Sequence, residues 1–239
     1  MTLEDLGAVL FDMDGTLVDT EPVWQQGLVE LAARHGAVLP PAVLARMLGT
    51  AMAETMDLFF AEIVESVAAI DVSRRGREAA AQWLDARVME VLAEGVIWRP
   101  GARELLGAVR AAGLPTALVT ATGRRVTEII LTSLGPENFD VVVTDDDVRH
   151  SKPDPEPYDR AAAALGVAPH RCVAIEDSVT GRTSAAAAGC AVLAISPGPV
   201  LEAADGRPEA GVTFVTGLDR VDLDLLRRLI PAVPVATAG

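Results

Sequence analysis

The residues most able to do chemistry in this sequence stand directly after short apolar runs. The first run, residues 8–11, ends at an acidic turn, and three later runs also end at polar side chains. The four polar groups are Asp12-Met13-Asp14-Gly15-Thr16, Thr120-Ala121-Thr122, Thr144-Asp145 with Lys152 beyond, and Glu176-Asp177-Ser178. Carboxylates, hydroxyls and one ammonium group in one place could hold a cation together with an anionic substrate.

Oxygen ligands dominate this set of residues. Mg²⁺ prefers carboxylate, carbonyl and water ligands, whereas zinc sites are built from His and Cys clusters, which the sequence lacks. The expected Mg²⁺ ligands are Asp12, Asp14, Glu176 and Asp177. Glu176 is expected either to bind the metal directly or to act on it indirectly, through a water molecule or through a hydrogen bond to a metal ligand.

Three of these residues have the types needed for phosphoryl transfer. A carboxylate attacks phosphorus only when the charge of the substrate is neutralised, and a metal ion with a lysine could do this. Asp12, at the end of the first run, is the expected nucleophile. Asp14 is the expected acid and base, and Lys152 is expected to hold the transferring group.

The phosphoryl oxygens also need hydrogen-bond donors. The expected phosphate contacts are the Thr120 hydroxyl, the Ala121 amide, Gly15 and Lys152. Donors placed in this way stabilise the charge that develops on the phosphoryl group.

Alternating elements must position these residues. Strands are predicted at 8–11, 116–120, 141–143, 172–175 and 191–195, and helices at 101–112, 124–134, 156–165 and 181–188. This alternation predicts a parallel sheet covered by helices, an α/β fold in which ligands collect beyond the carboxyl ends of the strands.

A helical segment separates the first strand from the others. Pro22 favours a helix that ends near residues 35–36, and Pro40-Pro41 opens a second that ends at Gly49. A third helix is predicted over 51–70, and Ser73 can cap a fourth that ends near residues 94–95. The segment therefore reads as an all-helical insertion into the α/β domain.

Composition limits the possible partners. The chain has 239 residues and a formal net charge of −14, so nucleic acid and anionic membranes are not expected partners. No long uncharged apolar run predicts a membrane span, and no basic, apolar leader is present at the amino terminus. Cys172 and Cys190 are expected to be buried thiols, and we expect a cytoplasmic protein.

The ordered motifs resemble those of the haloacid dehalogenase superfamily. The resemblance covers about residues 8–198, and its motifs are the acidic turn after the first run, Thr120, Lys152-Pro153-Asp154-Pro155, and Glu176 to Gly181. It implies a Rossmann-like core at 1–18 and 96–239, a helical cap at 19–95, Mg²⁺ and a phosphoaspartate on Asp12. The acid at position 14 distinguishes the chain from the dehalogenase branch.

The cap residues bear on the reaction and the substrate. The β-phosphoglucomutases of this superfamily carry a cap histidine where this chain has Trp24, and a cap arginine where it has Thr50-Ala51-Met52. Hydrolysis is therefore favoured over mutase chemistry. Glu21, Trp24 and Arg87 are tentative substrate contacts.

We expect a Mg²⁺-dependent phosphatase that acts on a small phosphorylated metabolite, and a sugar phosphate is the expected substrate class. A sugar phosphomutase is the first alternative, and a metabolite-binding protein without turnover is the second. A monomer is expected, with a dimer as the alternative.

Overall fold

A computed structural model describes residues 6–47, 52–64, 67, 70–196 and 211–231. The chain divides into two compact units. One contains Met1–Asp19 and Ile97–Gly239, and the other contains Thr20–Val96. None of the helices in the described ranges is long and apolar enough to cross a membrane.

Among its described residues, the smaller unit contains helices and no strand. Its helices are α1 (Glu21–Arg34), α2 (Pro41–Met47), α3 (Met52–Ile63) and α4 (Arg74–Glu94). Two sequence signals for helix starts are confirmed: a proline in the first turn of α1, and Ser73, whose side chain accepts a hydrogen bond from the Gly76 amide at the start of α4.

The third helix is shorter than predicted. The expectation was residues 51–70, but α3 ends at Ile63, and Ile70 lies outside any helix. Val64 is 45% exposed, so a longer helix would gain no burial from this β-branched residue. Gly49, Ala51 and part of 64–70 lie outside the described residues, as do the last eight residues of the chain.

Six parallel strands form the sheet of the larger unit, which confirms the predicted fold class. The sheet order is β5-β4-β1-β6-β7-β8, and every neighbouring pair is parallel. A separate antiparallel pair, β2 with β3, was not predicted. The strands are β1 (Ala8–Phe11), β2 (Val18–Asp19), β3 (Ile97–Trp98), β4 (Thr116–Val119), β5 (Val141–Val143), β6 (Cys172–Glu176), β7 (Ala191–Ile195) and β8 (Val212–Val215).

The described part of this unit also contains helices, and one of them packs on the sheet partly through alanines. The helices are α5 (Ala102–Ala111), α6 (Arg124–Leu134), α7 (Glu156–Leu165), α8 (Val179–Ala187) and α9 (Leu223–Leu229). Tyr158, Ala161 and Ala162 of α7 are buried in one cluster with Leu10 and Val119 of the sheet. Alanines let the helix backbone lie close to the strands, so the alanine run is a packing face. Cys172 and Cys190 are buried and free, as predicted.

Candidate functional site at the carboxyl ends of the strands

The central strand β1 places Asp12 between two neighbouring strands. Phe11 pairs with Leu118 of β4 on one side and with Ile175 of β6 on the other. The backbone ladder continues one residue further, since the Asp12 amide donates to the Ile175 carbonyl at 3.0 Å. Asp12 is therefore fixed by sheet hydrogen bonds at the edge where the site was predicted.

The turn after Asp12 depends on Gly15. Its φ is +83°, in the left-handed region, and a Cβ there would collide with the Asp177 carboxylate. The Gly15 amide donates to the Val18 carbonyl at 2.8 Å. The Gly15 N–H is therefore engaged in the turn, and Gly15 lets the loop pass close to Asp177.

Lys152 is buried against two carboxylates. Its side chain is 4% exposed, and Nζ lies 2.7 Å from Asp12 Oδ1 and 2.6 Å from Glu176 Oε1. Nζ also donates to the Val119 carbonyl at the end of β4, at 2.9 Å. Burial alone would lower the pKa of Lys152, but the charges of Asp12 and Glu176 outweigh it and raise the pKa, so the ammonium stays charged.

Glu176 is held by protein donors on both oxygens. Besides Lys152, the Tyr158 hydroxyl donates to Oε1 at 2.6 Å, and the Ser178 hydroxyl donates to Oε2 at 3.1 Å. A Cβ at Gly181 would collide with the Glu176 carboxylate, so a glycine is required where α8 passes it. Glu176 is fully buried, and this arrangement suits an anion that positions Lys152 better than an open metal ligand.

Tyr158 is a contact that the sequence did not single out, whereas Ser178 belongs to the predicted group Glu176-Asp177-Ser178. Ser178 is the N-cap of α8 and also accepts from the Gly181 amide at 2.9 Å, which fixes its orientation. Burial and the charge of Glu176 raise the pKa of Tyr158, so it remains a donor. A tyrosine in a helical pattern resembles a core residue, so no sequence signal distinguishes Tyr158.

Three carboxylates form one group at this edge. Oxygens of Asp12, Glu176 and Asp177 lie within 4.8 Å of one another. Burial and the charge of Glu176 raise the pKa of Asp12 well above its ordinary value, and the same two causes raise that of Asp177 to about 6. The ammonium of Lys152 is the positive charge that contacts two of these three carboxyl groups, those of Asp12 and Glu176. The group consists of hard oxygen donors with an excess of negative charge, so it fits a divalent cation.

Asp14 lies near this group, and its carboxylate contacts the loop after β4. Burial is the largest cause of the raised pKa of Asp177, and the charge of Asp14 is among the others. Asp14 Oδ2 accepts from the Thr122 hydroxyl at 2.7 Å and from the Thr120 hydroxyl at 3.4 Å. Asp14 stays a predicted metal ligand, and the two hydroxyl contacts suit its predicted role as acid and base.

Thr120 and Ala121 lie just beyond β4. The Thr120 amide donates to the Val143 carbonyl of β5 at 2.9 Å, so the sheet holds this residue as it holds Asp12. Thr120 is buried, and Ala121 is exposed at the start of the loop that leads into α6. The structure thus brings Thr120 to the same edge as Asp12 and Lys152.

The tentative substrate contacts lie on the helical unit. Glu21 and Trp24 are in the first turn and a half of α1, and Arg87 is on α4. Arg87 contacts Glu30 at 2.6 Å and Glu90 at 3.3 Å. Its guanidinium is occupied by two glutamates of its own unit, which suits a structural role better than substrate binding.

The acidic group predicts an unusual pH dependence of stability. The pKa of Asp177 rises from 3.8 to about 6 on folding, so the folded protein binds this proton more tightly than the unfolded chain does. The free energy of unfolding of metal-free protein should therefore fall as pH rises from about 4 to about 6. Above that range Asp177 lowers the free energy of unfolding no further. The raised pKa of Asp12 changes the free energy of unfolding in the same direction.

Thermal melts in chelator and in Mg²⁺ measure this effect. We expect the Tm of metal-free protein to be a few degrees higher at pH 5 than at pH 7, on a scale of roughly 2–4 °C per kcal/mol. Mg²⁺ should raise Tm more at pH 7 than at pH 5, because it binds the deprotonated acids. Asp177→Asn should reduce both differences. An equal Mg²⁺ effect at the two pH values would contradict this account.

Comparisons with known proteins agree with this geometry. A family model described as haloacid dehalogenase-like hydrolase matches residues 6–189. Hexitol phosphatase A of Escherichia coli (strain K12) is 35% identical over 187 residues, which are 78% of this chain and 82% of the relative. N-acetylmuramic acid 6-phosphate phosphatase of Pseudomonas aeruginosa is 34% identical over 94% of this chain and 96% of its own.

Solved structures share the fold over nearly the whole chain. CbbY from Rhodobacter sphaeroides in complex with phosphate has a TM-score of 0.71 at 27% identity, covering 92% of this chain and 99% of its own. A hydrolase of the same family from Deinococcus radiodurans, with bound phosphate and sodium, has a TM-score of 0.70 at 27% identity, covering 96% and 100%. With the matching family model and the motifs at the strand ends, these likenesses show that the chain belongs to the haloacid dehalogenase-like hydrolase family.

Proposed function

We propose that this hydrolase of phosphoric monoesters is a Mg²⁺-dependent phosphatase that moves the phosphoryl group of a small sugar phosphate first to Asp12 and then to water. The observation that carries the proposal is the buried contact of Lys152 Nζ with Asp12 Oδ1, at 2.7 Å, beside the second acid Asp177. A strand-end carboxylate fixed beside a buried ammonium suits a nucleophile that must approach a negatively charged phosphoryl group.

Asp12 forms the new bond in the first half of the reaction. One of its oxygens attacks phosphorus as the bond to the leaving oxygen breaks, which gives a phosphoaspartate and an alcohol. Lys152, held by Glu176 and the Val119 carbonyl, neutralises charge on the phosphoryl oxygens. The Thr120 hydroxyl and the Ala121 amide are proposed to donate to the same oxygens.

Asp14 moves the protons in both halves. It gives a proton to the leaving oxygen in the first half, and in the second half it takes one from the water that attacks the phosphoaspartate. The second half returns Asp12 to its carboxylate form and releases inorganic phosphate. Asp14 is suited to this role because its carboxylate accepts hydrogen bonds from two threonine hydroxyls that hold it in place.

Asp12 and Asp177 are proposed to hold Mg²⁺. Glu176 is proposed to position Lys152 and not to bind the ion. The ion, when bound, supplies positive charge that offsets the acids and the transferring group. This assignment follows from the excess of carboxylates in the group and from the protein donors that occupy Glu176.

A small sugar phosphate is the substrate class that the relatives favour. Those described by name act on hexitol phosphates and on N-acetylmuramic acid 6-phosphate, and another is a phosphorylated carbohydrates phosphatase from Thermotoga maritima. The net charge of −14 disfavours polyanionic partners such as nucleic acid. Glu21 and Trp24 are the residues of the helical unit that we propose for substrate selection.

The test is phosphate release from a panel of hexose, hexitol and amino-sugar phosphates, followed by phosphorus NMR. We expect inorganic phosphate as the product, no turnover in EDTA, and recovery when Mg²⁺ is added. Conversion of a sugar 1-phosphate into its 6-phosphate would show a phosphomutase instead. Binding without turnover of any ester would support a metabolite-binding protein, and either result would overturn the proposal.

A further inference from the structure

We propose that Thr122 is a positioning residue for Asp14, which its hydroxyl holds in the orientation needed to protonate the leaving group. This inference rests on the proposed function and adds a residue that the sequence motifs do not assign. Thr122 Oγ1 donates to Asp14 Oδ2 at 2.7 Å, which is the mode for a hydrogen bond between oxygens. The two residues are far apart in sequence and meet only because β1 and β4 are neighbours in the sheet.

Thr122 is itself held on both sides. Its amide donates to the Thr120 hydroxyl at 3.0 Å, which ties it to the end of β4. Its carbonyl accepts from the Thr127 hydroxyl in α6 at 3.3 Å and from the Asp145 amide at 3.4 Å. The hydroxyl is therefore presented from a backbone anchored to strand, helix and loop, so its position is set before substrate binds.

The two threonine hydroxyls that contact Asp14 have different proposed hydrogen-bond partners when substrate is bound. The Thr120 contact is long, at 3.4 Å, and its hydroxyl is proposed to turn toward the phosphoryl oxygens. Thr122 then keeps the short contact with Asp14. Because both hydroxyls approach Oδ2, the proton that Asp14 transfers is expected on Oδ1. Thr122 thus selects which oxygen of Asp14 faces the reaction.

Loss of this contact should affect one step selectively. An alkyl phosphate releases a strongly basic alkoxide unless an acid protonates the leaving oxygen, whereas p-nitrophenolate is stable enough to leave without help. The ratio kcat/KM reports only the steps up to formation of the phosphoaspartate. A misplaced Asp14 should therefore lower kcat/KM for a sugar phosphate much more than for p-nitrophenyl phosphate.

The experiment compares Thr122→Val, Thr122→Ala and Thr122→Ser with Thr132→Val, a matched control. Thr132 is exposed on α6, and its hydroxyl donates to the Ile129 carbonyl at 2.7 Å. Each variant is assayed in saturating Mg²⁺ with p-nitrophenyl phosphate and with the best sugar phosphate of the panel. A thermal melt of each variant checks that it is folded.

For Thr122→Val we expect kcat/KM to fall about 10–100-fold with the sugar phosphate and less than about 3-fold with p-nitrophenyl phosphate. Thr122→Ser keeps the hydroxyl and should therefore retain most of the activity, and Thr132→Val should leave kcat/KM unchanged for both substrates. If the Thr122→Val protein does not fold, Thr122→Ala removes the same hydroxyl and should show the same difference between the two substrates. Equal losses on the two substrates, or no loss on either, would overturn the inference. A wild-type protein that hydrolyses neither ester would overturn the proposed function itself.

Discussion

Asp12→Asn is expected to lower kcat/KM for Mg²⁺-dependent phosphate release by about 10⁴-fold or more, with both p-nitrophenyl phosphate and a sugar phosphate as substrate. The amide oxygen of asparagine is a poor nucleophile, and the residue is nearly isosteric with aspartate. Since the loss removes the attacking group, it should not depend on the leaving group. This distinguishes Asp12 from Thr122, whose replacement should affect the sugar phosphate selectively.

The fold should tolerate this replacement. Burial and the charge of Glu176 raise the pKa of Asp12, so the metal-free protein carries an unfavourable buried charge that asparagine removes. Lys152 keeps its contact with Glu176 at 2.6 Å. A matched control is Asp145→Asn, an exposed acid that follows β5 at the same edge of the sheet and should leave kcat/KM unchanged. An Asp12→Asn protein that kept a tenth of wild-type activity would contradict the mechanism.

Lys152→Met is expected to damage both activity and stability. The replacement leaves Asp12 and Glu176 buried without the ammonium that contacts both of them. Breaking a buried ion pair in this way costs about 3–5 kcal/mol, which is roughly 10 °C in Tm for a chain of this size. We expect kcat/KM to fall by about 10³-fold or more, because the transferring group loses a positive partner.

A double variant separates the two effects of Lys152. In Lys152→Met with Glu176→Gln, one of the two stranded carboxylates is replaced by a neutral amide, so much of the lost stability should return while activity stays low. Thermal melts in EDTA, together with kcat/KM in Mg²⁺, measure both quantities. If the single Lys152→Met variant kept wild-type Tm in EDTA, the buried charge balance described here would be wrong.

Residues that end strands were predictable from the sequence. Asp12, Thr120 and Asp177 follow short apolar runs that favour buried strands, and parallel strands bring their carboxyl ends to one edge. Lys152 lies further along the loop after β5, and it reaches the same edge, where it contacts Asp12. Sheet topology alone was therefore enough to place these four residues together.

Side-chain direction was not predictable in the same way. Asp14 contacts Thr122 and directly precedes the turn at Gly15, whose left-handed backbone no strand or helix pattern encodes. Tyr158 reaches Glu176 from the first turn of α7, where an aromatic residue reads as part of the helix core. Such contacts depend on which helix covers which strand, and the sequence alone leaves that choice open.

Short or late elements were also missed. The pair β2 and β3 has two residues in each strand, too few to show the alternation of a strand. The edge strand β8 is half-buried along its length, so its four residues lack the apolar run that marks the central strands. Neither element contributes a residue to the acidic group, so the predicted site does not depend on them.

The central claim is a phosphoryl group carried on Asp12, and chemical trapping tests it most directly. Wild-type protein turning over p-nitrophenyl phosphate with Mg²⁺ is quenched in acid and treated with sodium borohydride, which reduces an aspartyl phosphate to homoserine. Peptide mass spectrometry then locates the modified residue. We predict homoserine at position 12, none in the chelator-treated protein, and an increased yield in Asp14→Asn, which lacks the base for the second half of the reaction. Rapid release of phosphate with position 12 unmodified throughout would contradict the account.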